Sequence, residues 1–259
     1  MCVPLLLFTA KTRASFRRSA GQAHALRARV SRVASHVCRS PLAAPPPRHR
    51  PQALLTLNES GLPFTIDEVS LTDKPAHFSA LYARALGHDA ASTGKVPILQ
   101  DGAFILTESL AICEYVAAKA GGSLLAATPE ERARAALFAD LVAKIGPSCF
   151  ALLRVPKGGA EAAAAAAALT EALAAVSGAL ALCGGPFLLG ERLTVSDIAL
   201  WPFLERLSVV HHFRDYAMPE EARLEPLRRW TEAMRARESV KKTENSAEFL
   251  IPHYSKYVA

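Results

Sequence analysis

The stretch GKVPILQDGAFILTESLAICEY, Gly94 to Tyr115, changes its hydrophobic period halfway along. Val96 to Leu99 and Ala103 to Leu106 are short apolar runs on either side of Gln100-Asp101-Gly102. An Asp-Gly pair in that setting is a strong short-range hairpin signal. From Thr107-Glu108-Ser109 onward the spacing turns helical, with Ile112, Tyr115 and Val116 recurring. Two residue choices exceed what folding requires. Pro97 opens a strand, where a missing N–H is tolerated only at an edge or an irregular pairing; in cis it would leave the Val96 backbone open to another molecule. Glu108 and Ser109 stand at a helix N-terminus, where unpaired N–H groups and the positive dipole end favour a carboxylate. Ser109 can donate to that carboxylate while Glu108 holds an ammonium nearby, and an amino-acid α-centre carries both charges. An ordinary capped helix would use the same residues.

Working outward, the 259 residues suffice for one large domain or two modest ones. The net charge of +6 is unevenly placed: residues 1–58 hold ten Lys/Arg and no acid, which leaves the other 201 at −4. A mildly acidic body argues against a nucleic-acid-binding protein. Five cysteines without a C-x-x-C spacing point to a reducing compartment and against a zinc site. Residues 1–50, rich in Arg, Ser and Ala and closing on Pro45-Pro46-Pro47, have the composition of a basic leader or organelle transit peptide. The apolar patch Val3 to Phe8 within them is too short to span a bilayer.

Gln52 to Gly61 reads as a short helix, Thr65 to Val69 as a strand, and His77 to Thr93 as a partly helical linker. From Thr128 the chain is helical. Thr128-Pro129-Glu130-Glu131 is a capping box with proline at the first helical position, followed by Phe138, Leu141, Ile145, Cys149 and Leu152 on one face. Ala160 to Cys183 is an alanine-rich helix whose glutamates mark it as soluble rather than membrane-spanning. Thr194 and Asp197 form a second capping box, with Leu193 and Ile198 as its staple. His211-His212 lacks partners at ligand spacing, so no metal is expected. The tail Phe249 to Ile251, with Tyr254 and Tyr257, is expected to fold back over the body.

Lys95-Val96-Pro97-x-Leu99, Asp101-Gly102 and Glu108-Ser109-x-x-Ile112-x-x-Tyr115 together resemble the glutathione site of the cytosolic glutathione transferase superfamily, and the resemblance covers residues 52–259. It implies an α+β fold: a thioredoxin-like N-terminal domain over 51–122, its first strand degenerate, then an all-α C-terminal domain over 128–259. It also implies that the Val96 backbone, ahead of a cis-Pro97, pairs with the cysteinyl unit of glutathione, and that Glu108 and Ser109 grip its γ-glutamyl end. Lys74 and Lys95 match tau-type glutathione contacts; Lys74 could equally be a solvated surface charge. The family activates the glutathione thiol with a Ser or Tyr near the end of the first strand, or uses a cysteine there in omega- and lambda-type members. No clean first strand precedes Gln52. The look-alike is Cys38-Arg39-Ser40-Pro41 after Arg32 to Val37, with Ser40 as the expected catalytic group and Cys38 as the alternative; both would be absent if 32–41 is only leader.

The implied function is conjugation of glutathione, as co-substrate, to a hydrophobic electrophile by a homodimer in the cytoplasm, or in a plastid or mitochondrion if the leader is an address. The alternatives are a non-catalytic module of the same fold and a Cys38-dependent thioltransferase.

Overall fold

The computed structural model of the chain describes residues 4–11, 51–70, 73–87 and 94–259. Its N-terminal half is a four-stranded sheet, β1 (Leu5–Lys11), β2 (Phe64–Ser70), β3 (Ile98–Asp101) and β4 (Phe104–Thr107), in the order β2-β1-β3-β4. β1 runs parallel to β2 and antiparallel to β3, and β3 is antiparallel to β4. Among the described residues the helices α1 (Pro51–Ser60), α2 (Ala76–Leu86) and α3 (Ser109–Lys119) flank the sheet.

Alternation along β1 assigns the two faces. Leu5 and Leu7 pack with Ala53, Leu54 and Leu57 of α1 and with Ile112 and Val116 of α3. Phe8 points the other way, into a cluster with Val69, Phe78 and Tyr82 that places α2 opposite. The reading of residues 1–50 as a leader is therefore corrected for 5–11, which form an interior strand of the sheet. A strand buried on both faces shows a short unbroken apolar run, and 39 residues separate this one from α1, so LLLF lacked the context of a strand. Arg32 to Val37, the expected first strand, lies outside the described residues.

The hairpin forms one residue later than the sequence suggests. Asp101 pairs with Phe104, so the loop is Gly102-Ala103, and Gly102 takes φ 59. Asp101 instead ends β3, where its carboxylate accepts from the Tyr115 hydroxyl and the Lys119 ammonium of α3.

The C-terminal half is helical: α4 (Pro129–Arg154), α5 (Gly159–Ala181), α6 (Val195–Glu205), α7 (Leu207–Arg214), α8 (Glu225–Ala236), α9 (Glu238–Lys241) and α10 (Ala247–Tyr254). The Thr128 hydroxyl accepts from Glu131 N at 3.2 Å, as the capping box requires. Gly146 lets α4 meet α6, since a Cβ there would come within 2.8 Å of the Phe203 ring. By length and composition α4 and α5 would each suffice to cross a membrane. Here Phe138, Ile145, Leu169, Leu173 and Val176 are buried in one helical core, which also takes in Leu55, Cys113 and Ala117 from the first half. Asp197 is buried and accepts from Leu188 N, Thr194 N and Trp230 Nε1 at 2.8 Å and from Thr194 Oγ1 at 3.0 Å. The second capping box thus also joins α6 to α8. A further link ties the halves together: Glu59 of α1 accepts from Arg237 Nε at 2.8 Å and Nη2 at 2.6 Å, and from the Ser239 hydroxyl.

Candidate functional site

The Val96–Pro97 peptide is cis. Gly94, at φ 59, precedes it and packs so closely on Phe78 that a Cβ would lie 2.8 Å from the ring. That approach delivers Lys95 to the surface while burying Val96 and Pro97. Lys74 reaches across from the segment ahead of α2, and its ammonium donates to Gly94 O at 2.8 Å. Behind the proline, the Thr107 hydroxyl donates to Pro97 O at 3.2 Å.

The use of Thr107 bears on α3. Its N-cap residue is Glu108, and no side chain caps the helix. Glu108 holds φ 68 and ψ 121, a conformation that costs a non-glycine residue roughly 1–3 kcal/mol and points to function where it persists. Next to it the Ser109 side chain is buried, 5% exposed, and its Oγ has no hydrogen-bond partner among the described residues. A buried hydroxyl without a partner costs about 1–3 kcal/mol. The strain, the missing cap and the unmet hydroxyl occupy two consecutive residues at a helix N-terminus. An ordinary capped helix has no use for them.

A cavity of about 420 Å³ opens beside this junction. Its N-terminal wall carries Lys74, Gly94, Lys95 and Val96, with Pro51 at the head of α1. Pro97, Glu108 and Ser109 are not among its lining residues; Pro97 follows Val96 through the cis peptide, and its carbonyl accepts from Thr107, the residue before the exposed Glu108. The opposite wall is helical: Glu205 and Arg206 at the end of α6, and Phe249, His253 and Tyr254 of α10. Glu205 accepts from Asn245 N at 2.5 Å and from its Nδ2 at 3.1 Å. Burial pushes its pKa up, against those two donors. Tyr254 and Tyr257 pack on Phe150 of α4 at 5.9 and 5.3 Å between ring centres. Ala259 N donates to Leu153 O at 3.2 Å, so the tail does fold back. These helical residues are absent from the sequence-derived site, because no spacing within the chain connects them to Val96.

Ser40 and Cys38 lie outside the described residues. The reasoning that selected them is corrected all the same: it required a first strand at 32–37, and the sheet takes its first strand from 5–11. The described hydroxyl on that strand is Thr9, which is buried. Among the described cysteines, burial pushes Cys113 up to about 12 and Cys149 to about 11, so both are held as thiols. His211 and His212 are exposed on α7, and the described residues contain no group of three metal-capable side chains.

The family model for the glutathione S-transferase N-terminal domain matches residues 52–119, and that for the C-terminal domain matches 159–233. The chain is 30% identical over 213 residues to the probable glutathione S-transferase DHAR1, cytosolic, of Oryza sativa subsp. japonica, covering 80% of this chain and 88% of the relative. Among solved structures, the tau class glutathione S-transferase of mango, Mangifera indica, superposes with a TM-score of 0.68 at 25% identity, over 80% of this chain and 93% of that one. The theta class glutathione S-transferase of Xanthomonas axonopodis pv. citri, solved with glutathione bound, gives 0.55 at 29% identity, over 76% and 92%.

Proposed function

The chain belongs to the glutathione S-transferase family, and we propose that it binds glutathione at the Val96–Pro97 junction and activates its thiol for conjugation to an electrophile. The observation that carries this reading is the buried Ser109 hydroxyl, which has no partner among the described residues, beside the strained Glu108 at the start of α3. In this arrangement the Val96 backbone pairs with the cysteinyl unit. Ser109 donates to the γ-glutamyl carboxylate, Glu108 holds its ammonium, and Lys74 and Lys95 hold the remaining charge. The thiol-activating group belongs near or beyond the end of β1; Thr9, two residues before that end, is the described candidate, and Ser40 and Cys38 are the more distant ones. The name of the rice relative favours a cytoplasmic location. A second copy of the chain would cover exposed apolar side chains such as Phe104 and Leu137.

The test is a titration with glutathione, read by calorimetry and by thiolate absorbance at neutral pH. Ser109→Ala should weaken binding about tenfold without loss of stability, because the variant removes a buried donor that has no partner. Thiolate that disappears in Thr9→Ala or Ser40→Ala identifies the activating group. Disappearance in Cys38→Ser, with the native chain forming a mixed disulfide on addition of oxidised glutathione and releasing one glutathione thiol, assigns thiol transfer instead. Binding without thiolate identifies a non-catalytic module, and no binding refutes the site.

A further inference from the structure

The charge on the cavity walls has the wrong balance for a purely apolar second substrate. Three cationic side chains line it: Lys74 and Lys95 on one wall and Arg206 on the other. The carboxylate among them, Glu205, is buried, and both its oxygens are taken up by Asn245. Arg206 acts on it through space and favours its charged form, but no ion pair joins the two. Lys74 and Lys95 are accounted for by glutathione. Arg206 is not: it makes no ion pair among the described residues, and its guanidinium lies 5.6 Å from the centre of the Phe203 ring. The rings of Phe249, Tyr254 and Tyr257 line the same cavity. An arginine without a direct ion pair among the described residues, in a cavity shared with aromatic rings, is suited to a flat molecule that carries a carboxylate or similar anion.

We propose that the second substrate is a planar aromatic anion, its ring against Tyr254 and Phe249 and its charge toward Arg206. The inference rests on the glutathione reading above and narrows it, replacing the expected hydrophobic electrophile with an acidic one. A cavity of about 420 Å³ falls in the size range of small-molecule sites.

Binding isolates the question from catalysis. Calorimetry at pH 7 would compare S-(4-carboxybenzyl)glutathione with S-benzylglutathione, with glutathione itself as reference. The carboxylated ligand should bind about tenfold more tightly, and the preference should shrink in high salt. Arg206→Gln should abolish the preference and Arg206→Lys should keep most of it, which a merely structural arginine would not produce. Equal binding of the two conjugates, or a preference that survives Arg206→Gln, overturns this proposal and leaves the glutathione site standing. Failure of glutathione and both conjugates to bind overturns the two together.

Discussion

Replacing Glu59 by glutamine separates the two halves electrostatically while leaving every apolar contact in place. The native carboxylate receives two hydrogen bonds from Arg237, at 2.8 and 2.6 Å, and one from Ser239, across 178 to 180 positions of chain. Its side chain is 11% exposed and that of Arg237 33%. Hydrogen bonds to a charged group are worth about 1.5–3 kcal/mol where fully buried. Screening at the arginine end lowers the sum, and we expect a net loss of about 2 kcal/mol. For a chain of this size that is a fall in Tm of about 4–8 °C at pH 7. The pH dependence supplies a second readout. Burial alone would raise the Glu59 pKa, but the hydrogen bonds from Arg237 and Ser239 outweigh it and hold the group below its ordinary 4.5. A carboxylate lowered by folding contributes stability that is complete above the unfolded value and is lost as the pH falls through the folded one. The native chain should therefore lose its advantage over Glu59→Gln as the pH drops below 4.5. Thermal melts of both proteins from pH 7 to pH 3 would check this. A difference under about 1 °C at pH 7, or curves that stay parallel into acid, would refute the reasoning.

Three other perturbations have defined outcomes. Asp197→Ala leaves four donors without their acceptor and should cost about 3 kcal/mol or more in urea unfolding, well above the loss of about 1 kcal/mol expected from the cap alone. Glu108→Gly relieves the strained backbone, so Tm should rise while glutathione affinity falls; a fall in both would show that the conformation is not strained. Cys113 and Cys149, raised to about 12 and 11, should resist alkylation at pH 8 in the native protein and react only in urea, as mass spectrometry would record.

What could be read from the chain follows the range of the forces involved. The hairpin, the two capping boxes and the cis-proline junction are set by neighbours within a few residues, and local spacing exposes them. The hairpin loop moved by one residue because Asp101 is drawn into β3 by Tyr115 and Lys119, a tertiary contact. β1 was hidden for a related reason: its partners are β2 and β3, and nothing near LLLF in the sequence belongs to the sheet. Asp197 shows both regimes at once. Its bonds to Thr194 are readable at a spacing of three, whereas those to Leu188 and Trp230 exist only in the packed protein. The helical wall of the cavity lies wholly in the second regime, and that is where the sequence-derived site was incomplete.

Placing the earliest-made strand in the interior of the sheet sets a timetable for synthesis. β1 leaves the ribosome first, yet one neighbour begins at Phe64 and the other at Ile98. At roughly 5–20 residues per second, its apolar side chains and one open edge wait about 5–20 s for β3 to be made. During that interval Leu5 to Phe8 offer a strand edge to any other chain nearby. The segment that completes the sheet is thus the part of the nascent protein most in need of shelter.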